Sequence, residues 1–216
     1  MPDLETAHRW YPATDPVHGF DHVVRVYHLA ERLALAEGAD IEIVRAAVLL
    51  HDADPDQVPA SSQAAESRPQ HHLHSADFAR QVLEQEGWTD ERIRAVQHCI
   101  RAHRFRTPSE QPGTLEAQVL FDADKLDAIG AVGVARSVAY AAVRGMPAYI
   151  QPSEQFLSSG TKEPGELHSA YHEYIFKLQK LRERLYTASG RAISTERHRF
   201  MVEFFIQLHL ETEGKA

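Results

Sequence analysis

A single cysteine, Cys99, stands in 216 residues, so no disulfide can close within the chain, and a reducing compartment such as the cytoplasm is the expected setting. Long apolar runs are missing too. The best stretch, residues 128–143, is broken by Arg136, and nothing approaches the roughly 20 apolar residues of a membrane helix. No basic segment followed by an apolar one opens the sequence, so neither a signal peptide nor a membrane partner is expected. Positive charge is also in short supply: 23 Lys and Arg against 31 Asp and Glu leave a net charge of −8. A partner that is a nucleic-acid polymer is therefore not expected, because such a surface needs basic residues facing phosphates. A small anion is a different matter, since a bound metal ion can supply local positive charge. Alternating apolar and polar runs of the kind a half-buried strand needs are absent, as are internal repeats and low-complexity tracts.

Helical periodicity remains, and 43% hydrophobic residues are enough to bury a core. The reading is an all-α, compact single domain over residues 1–216, with its core at about 18–144 and C-terminal helices at about 166–212 packed on it. In residues 18–37, His22, Val26, Leu29 and Leu33 recur at helical spacing, and Asp15-Pro16 looks like an N-cap followed by proline at the first helical position. Residues 41–52 place Val44, Ala47, Val48 and His51 on one stripe. Residues 53–70, polar and proline-bearing, read as loop. Helices follow near 72–86, ended by Gly87, and near 90–104, with Thr89 as cap. Residues 115–143, apolar nearly all round and rich in Ala and Gly, predict a buried central helix with a break near Gly130 or Gly133. Residues 145–165 are irregular, and a loop of that length is often functional, for instance as a lid. Two amphipathic helices close the chain. The first turns Leu167, Tyr171, Tyr174, Leu178, Leu181 and Leu185 inward, the second Phe200, Met201, Phe204, Phe205 and Leu208, with Gly190 punctuating them. The aromatics near the C-terminus are compatible with a homodimer.

Histidine is the abundant residue: there are 14. Metal ligands are lone-pair donors held in a largely dry cavity, so they show up as polar residues on otherwise apolar helix faces. His22 shares its stripe with Val26, Leu29 and Leu33, and His51 ends a strongly apolar helix directly before Asp52. On a third helix Asp124 lies with Ala117, Leu120, Phe121, Ala128 and Val132, where a carboxylate is costly unless paired, hydrogen-bonded or bound to metal. Asp122 faces apolar neighbours as well (Leu115, Val119, Leu126, Ile129), so periodicity does not choose between the two. One histidine on an apolar face is usually a hydrogen-bonded core residue, and an isolated His-Asp pair carries little information. Three helices offering such groups together suit a divalent ion: Mn, Fe, Co, Ni, Zn or Mg.

The set His22, His51-Asp52 and Asp124 resembles the H…HD…D signature of the HD-domain phosphohydrolase superfamily. The stretches HGFDHVVRVYHLAERLALAEGAD, AAVLLHDAD and FDADKLDAIGAVGVAR carry the likeness. The C-terminal KLQKLRERLYTASGRAISTERHRFMVEFF is similar to a narrower branch, small stand-alone bacterial enzymes related to nucleotide pyrophosphohydrolases. The resemblance spans about residues 18–212. It implies that His22, His51, Asp52 and a late aspartate bind metal, and it places that aspartate at Asp124, in Ala123-Asp124-Lys125, with Asp122 as runner-up. It further implies a small phosphorylated substrate, a nucleotide, converted from triphosphate to monophosphate with release of pyrophosphate. A 5′-nucleotidase or phosphodiesterase would use the same site, and a catalytically weak nucleotide or metal sensor would keep it. Branch members often carry an acid and a lysine after the HD pair. Here the text is Ala53-Asp54-Pro55-Asp56-Gln57, so Asp54 or Asp56 replaces the acid and no lysine follows.

The expected catalytic residues are Asp52, orienting water, and Asp54 or Asp56 as general base. His72 and His103 either complete a second metal position or contact phosphate, although a surface-loop histidine and a core histidine are the plainer readings. Arg25 and Lys125 are candidates for phosphate contact or for pairing with a buried acid, while Lys177 and Arg197 are substrate-pocket candidates, as arginine suits bidentate phosphate recognition. His98, facing Glu91, Arg94 and Arg101, is expected on the surface.

Overall fold

The computed structural model describes residues 1–11, 19–53, 71–104 and 110–216. Among them every regular element is a helix, as the periodicity predicted, and they gather into two compact units, residues 1–124 with 186–190, and 125–185 with 191–216.

The first unit contains α1 (Leu4–His8), α2 (Phe20–Glu37), α3 (Ile41–Leu50), α4 (His71–Gln85), α5 (Asp90–Ala102) and most of α6 (Leu115–Leu126). Helix α3 is its centre and packs on α2, α4, α5 and α1. The reason is compositional: Val44, Ala46, Ala47, Val48, Leu49 and Leu50 are all buried, and a helix apolar on nearly every side has to be surrounded. Its start is fixed by the Asp40 carboxylate, which accepts from the amides of Glu42 and Ile43, satisfying donors that a helix N-terminus leaves open. Just before it, Gly38 ends α2 at φ +79°, its amide bonded back to the Ala34 carbonyl, a left-handed conformation that glycine adopts without strain. Helix α2 buries His22, Val23, Val26, Ala30, Leu33 and Ala34. It starts at Phe20 with Gly19 as N-cap, and the Asp15-Pro16 signal lies outside the described residues. Thr89 does cap α5, but through the backbone, its hydroxyl accepting nothing from the helix. At the C-terminal end of α3 the Tyr11 hydroxyl donates to the Leu49 carbonyl (3.0 Å).

The expected helix over residues 115–143 is two helices. Helix α6 stops at Leu126, Ile129 turns to an extended conformation, and α7 (Gly130–Val143) begins at Gly130 with φ +77°. In the second unit, α8 (Glu154–Ser159), α9 (Ala170–Phe176), a 3-10 helix (Leu178–Arg184) and most of α10 (Ala188–Thr212) follow α7. Helix α9 packs on α7 and on the 3-10 helix, around Phe156, Tyr174, Leu181, Met201 and Phe205, with the Tyr174 and Phe205 rings stacked at 4.3 Å. A Cβ at Gly133 would sit 2.2 Å from the Ala128 carbonyl oxygen, a contact that only backbone movement can relieve. Gly133→Ala should therefore cost about 1–3 kcal/mol, visible as a melting temperature several degrees lower; an unchanged value would refute the tight approach.

The structure departs from the sequence expectations at three residues. Leu167 is exposed because the helix starts only at Ala170, which leaves residue 167 in the preceding loop. Phe200 is exposed because α10 turns Met201 and Phe205, one helical repeat apart, into the core. Gly190 does not separate helices but lies inside the first turn of α10.

Residues 145–165 are less irregular than the sequence suggested. They hold α8, and behind it Glu166 gathers the segment. Its carboxylate accepts from the Ser153 amide (2.9 Å) and hydroxyl (2.7 Å) and from the Glu163 amide (2.7 Å), and lies 2.9 Å from His172 Nε2. The Ser153 amide first, and then His172, bring the Glu166 carboxyl down to about 2. A carboxyl depressed in the folded state stabilises above its unfolded value and stops doing so as pH falls through the folded one. Acid should thus weaken this clasp between the usual value of 4.5 and about 2. Glu166→Gln should lower the melting temperature at neutral pH and flatten its fall across that window, whereas a parallel curve would sink the assignment.

Candidate metal centre

The groups that could bind metal come from helix ends. His22 is in the first turn of α2, His51 is the residue on which α3 ends, and Asp124 is near the end of α6. Their ligand atoms all lie within 4.8 Å of one another, and His22 Nε2 is 3.4 Å from Asp124 Oδ1. Helix packing turns these ends to one point, because α2 rests along α3.

His51 states what the point requires. Its Nδ1 donates to the Val48 carbonyl at 2.8 Å, so the lone pair sits on Nε2, which is buried and has no hydrogen-bond partner among the described residues. Burial first, then the neighbouring His103 and His22, push the ring down to about 4 against the pull of Asp52 and Asp124, leaving it neutral at physiological pH. An unsatisfied buried acceptor costs about 1–3 kcal/mol. A Lewis acid would satisfy it, and two imidazoles with a carboxylate form a donor set that fits a divalent ion.

Asp52 lies beside this cluster. Its Oδ2 is 3.5 Å from His51 Nε2, while Oδ1 is 2.8 Å from His71 Nε2 and 3.6 Å from His103 Nε2. Burial alone would raise this carboxyl, yet His51, His71 and His103 outweigh it and hold the group well below the usual carboxylate range. His103 repeats the arrangement of His51: it ends α5, places Nδ1 on the Ile100 carbonyl (2.5 Å) and presents Nε2. Its ring lies 5.2 Å from that of His51. The Ser75 hydroxyl, bonded to the Ala53 carbonyl (3.1 Å), pins the start of α4 to the residue after Asp52.

The two aspartates that periodicity left equal are separated by their partners. Asp122 is fully buried and accepts from the Tyr186 amide (2.9 Å), the Thr187 amide (2.7 Å) and the Thr187 hydroxyl (2.6 Å). A Cβ at Gly190 would come within 2.5 Å of Asp122 Oδ2, so the glycine is there to admit the carboxylate. Asp122 is a staple between α6 and residues 186–190, and Asp124 is the aspartate that stands with His22 and His51.

The other sequence candidates distribute as follows. His72 is buried in the first turn of α4, not in a surface loop, and its Nδ1 meets the Arg104 guanidinium at 3.4 Å. Burial and the Arg104 charge bring its ring down to about 4. Arg25 pairs with Asp21 on an exposed face (2.6 Å), Lys177 pairs with Glu173 (3.1 Å), and Arg197 donates to the Leu126 carbonyl (2.6 Å). Lys125 is buried. His98, expected on the surface, is partly exposed there and bonds Glu110 through Nδ1 while accepting the Gly113 amide on Nε2 (3.1 Å). Asp54 and Asp56 lie outside the described residues. The sequence reading missed His71, which holds Asp52, and Arg104. The first turn of α4 carries three histidines and a single leucine, too few apolar residues for a stripe to fix its phase, so HHLHSA does not reveal which histidine points where.

A profile of the HD domain matches residues 19–129, the stretch that carries all of these ligand candidates. The chain belongs to the HD-domain family. The Bacillus subtilis protein YpgQ is 30% identical over 200 residues, which cover 91% of this chain and 85% of YpgQ. A crystal structure of YpgQ in complex with ADP superposes with a TM-score of 0.68 at 27% identity, covering 99% and 100% of the two chains. A Lactobacillus plantarum protein gives 0.72 at 30% identity, covering 98% and 95%. An HD-superfamily hydrolase from Bacillus thuringiensis gives 0.63 at 27%, covering 91% and 87%. HD domains bind divalent metals, and His22, His51 and Asp124 form a group in this chain that could hold one.

Proposed function

We propose that this protein is a metal-dependent phosphohydrolase acting on a nucleotide, cleaving a nucleoside triphosphate to monophosphate and pyrophosphate. The observation that carries the reading is the unsatisfied Nε2 of buried, neutral His51, set against His22, Asp124 and an ionised Asp52. The ADP held by YpgQ supports a nucleotide as the substrate class. His22, His51, Asp52 and Asp124 would hold the ion. When bound, a divalent ion acidifies water and offsets charge on phosphoryl oxygens. The protein's own part is positional. Asp52 stays ionised, and His71 at 2.8 Å keeps its carboxylate from turning, so it can accept a hydrogen bond from water and aim it at phosphorus. We assign the general base to Asp54 or Asp56. If that is right, Asp54→Asn or Asp56→Asn will keep metal while losing turnover; full activity in both would remove the assignment.

The deciding experiment offers tri-, di-, mono- and cyclic nucleotides to purified protein with Mn, with Mg and with chelator. Metal-dependent release of pyrophosphate from triphosphates is the expected result. Phosphate from monophosphates would make the protein a nucleotidase, and opening of cyclic substrates a phosphodiesterase. Silence across the panel with metal bound would make it a sensor.

A further inference from the structure

The proposed function leaves the recognition of the substrate's second phosphate unassigned, and the geometry points to Arg104 as its anchor. Arg104 directly follows His103, whose Nε2 lies 3.6 Å from Asp52, and its guanidinium reaches His72 Nδ1 at 3.4 Å. His72 is itself buried and adjoins His71, which bonds Asp52 at 2.8 Å. The side chain is thus tethered from two directions to the Asp52 surroundings, yet it meets His72, one side chain further out than His71 and His103, which approach the carboxylate directly.

The charge balance fits this position. Asp52 and Asp124 are acidic, the chain carries −8 overall, and a di- or triphosphate brings several negative charges into one small volume. An ion held by His22, His51, Asp52 and Asp124 would serve the phosphoryl group being attacked. The next phosphate along needs a cation of its own, fixed in direction. A guanidinium suits it better than an ammonium, because its planar fork donates two parallel hydrogen bonds to phosphate oxygens. His72 acts as a positioning residue: neutral at physiological pH, it accepts from the guanidinium without cancelling its charge.

This inference rests on the nucleotide reading, and binding separates the two. The probes are the α,β-methylene analogue of ADP, which resists cleavage, and AMP, titrated calorimetrically in the presence of Mn into wild type, Arg104→Ala and Arg104→Lys. Loss of a charge-assisted bidentate contact should weaken the diphosphate analogue on the order of tenfold to a hundredfold in Arg104→Ala. Arg104→Lys should fall between, and AMP should change by less than about threefold. Metal content and melting temperature of each variant report whether the site and the fold are intact, and should Arg104→Ala not fold, the lysine variant alone decides by the same ratio. Equal weakening of both ligands, or none, overturns the assignment. If wild type binds the diphosphate analogue but turns over no nucleotide, the hydrolase reading fails while Arg104 is still judged by the ratio. If wild type does not bind the analogue, both fall.

Discussion

Asp124→Asn and Asp122→Asn should fail in opposite ways, although the residues are two positions apart on one helix. Asp124 belongs to the cluster with His22 and His51. Losing its charge should reduce metal retention and metal-dependent turnover by about a thousandfold, equivalent to about 4 kcal/mol, with little change in the melting of metal-free protein. Asp122 accepts three hydrogen bonds from Tyr186 and Thr187 at 2.6–2.9 Å in a fully buried setting. An amide there keeps an oxygen for one backbone donor but turns its own hydrogens on the other. Orphaning groups that were bonded to a buried charge costs about 3–5 kcal/mol. For a protein of this size that lowers the melting temperature by about 10 °C or more. Thermal melts and metal analysis of the two variants settle it: Asp122→Asn losing metal while Asp124→Asn keeps it would reverse the assignments.

Metal should also stabilise the folded chain by a large margin, since the stripped protein keeps a buried acceptor at His51 Nε2 with no hydrogen-bond partner among the described residues. A ligand that binds only the native state, at a thousand times its dissociation constant, contributes about 4 kcal/mol. Adding Mn to chelator-treated protein should accordingly raise the melting temperature by about 10 °C. His51→Ala should abolish that shift. It should abolish turnover too, while the metal-free variant melts within a few degrees of the metal-free wild type, because the lost packing is partly offset by removal of the orphaned nitrogen. If neither Mg nor Mn nor any other divalent ion of the first transition row moves the wild-type transition, the centre is not a metal site.

How much of this the sequence revealed follows from the range of each interaction. His22, His51 and Asp124 were legible because a polar group on an apolar stripe is a local signal, readable within four residues on either side. The all-helical fold was legible for the same reason. Asp122 gave the identical local signal, and what distinguishes it is Thr187, 65 positions away. The partners of His98 are hidden from the sequence for the same reason, since Glu110 and Gly113 come from beyond its own helix. Leu167 misleads because the stripe runs past the start of its helix at Ala170, and Phe200 because the inward face of a helix rich in aromatics falls on Met201 and Phe205 instead. Gly190 read as punctuation because glycine usually ends helices. Only the carboxylate beside it shows that it makes room.

His51 and His103 share one more property, with a bearing on which changes this chain can absorb. Each ends its helix and uses Nδ1 on the carbonyl three residues back. The direction of Nε2 is therefore set by where the helix stops rather than by what surrounds the ring. Interior positions of α3 and α5 can exchange one apolar residue for another at modest cost, but their lengths cannot drift. Inserting a single residue upstream in α3 would rotate His51 by about 100° and advance it by about 1.5 Å, removing it from His22 and Asp124 while leaving the helix intact. Among descendants of this sequence, substitutions should accumulate within these two helices, and insertions or deletions should be confined to the chain outside them.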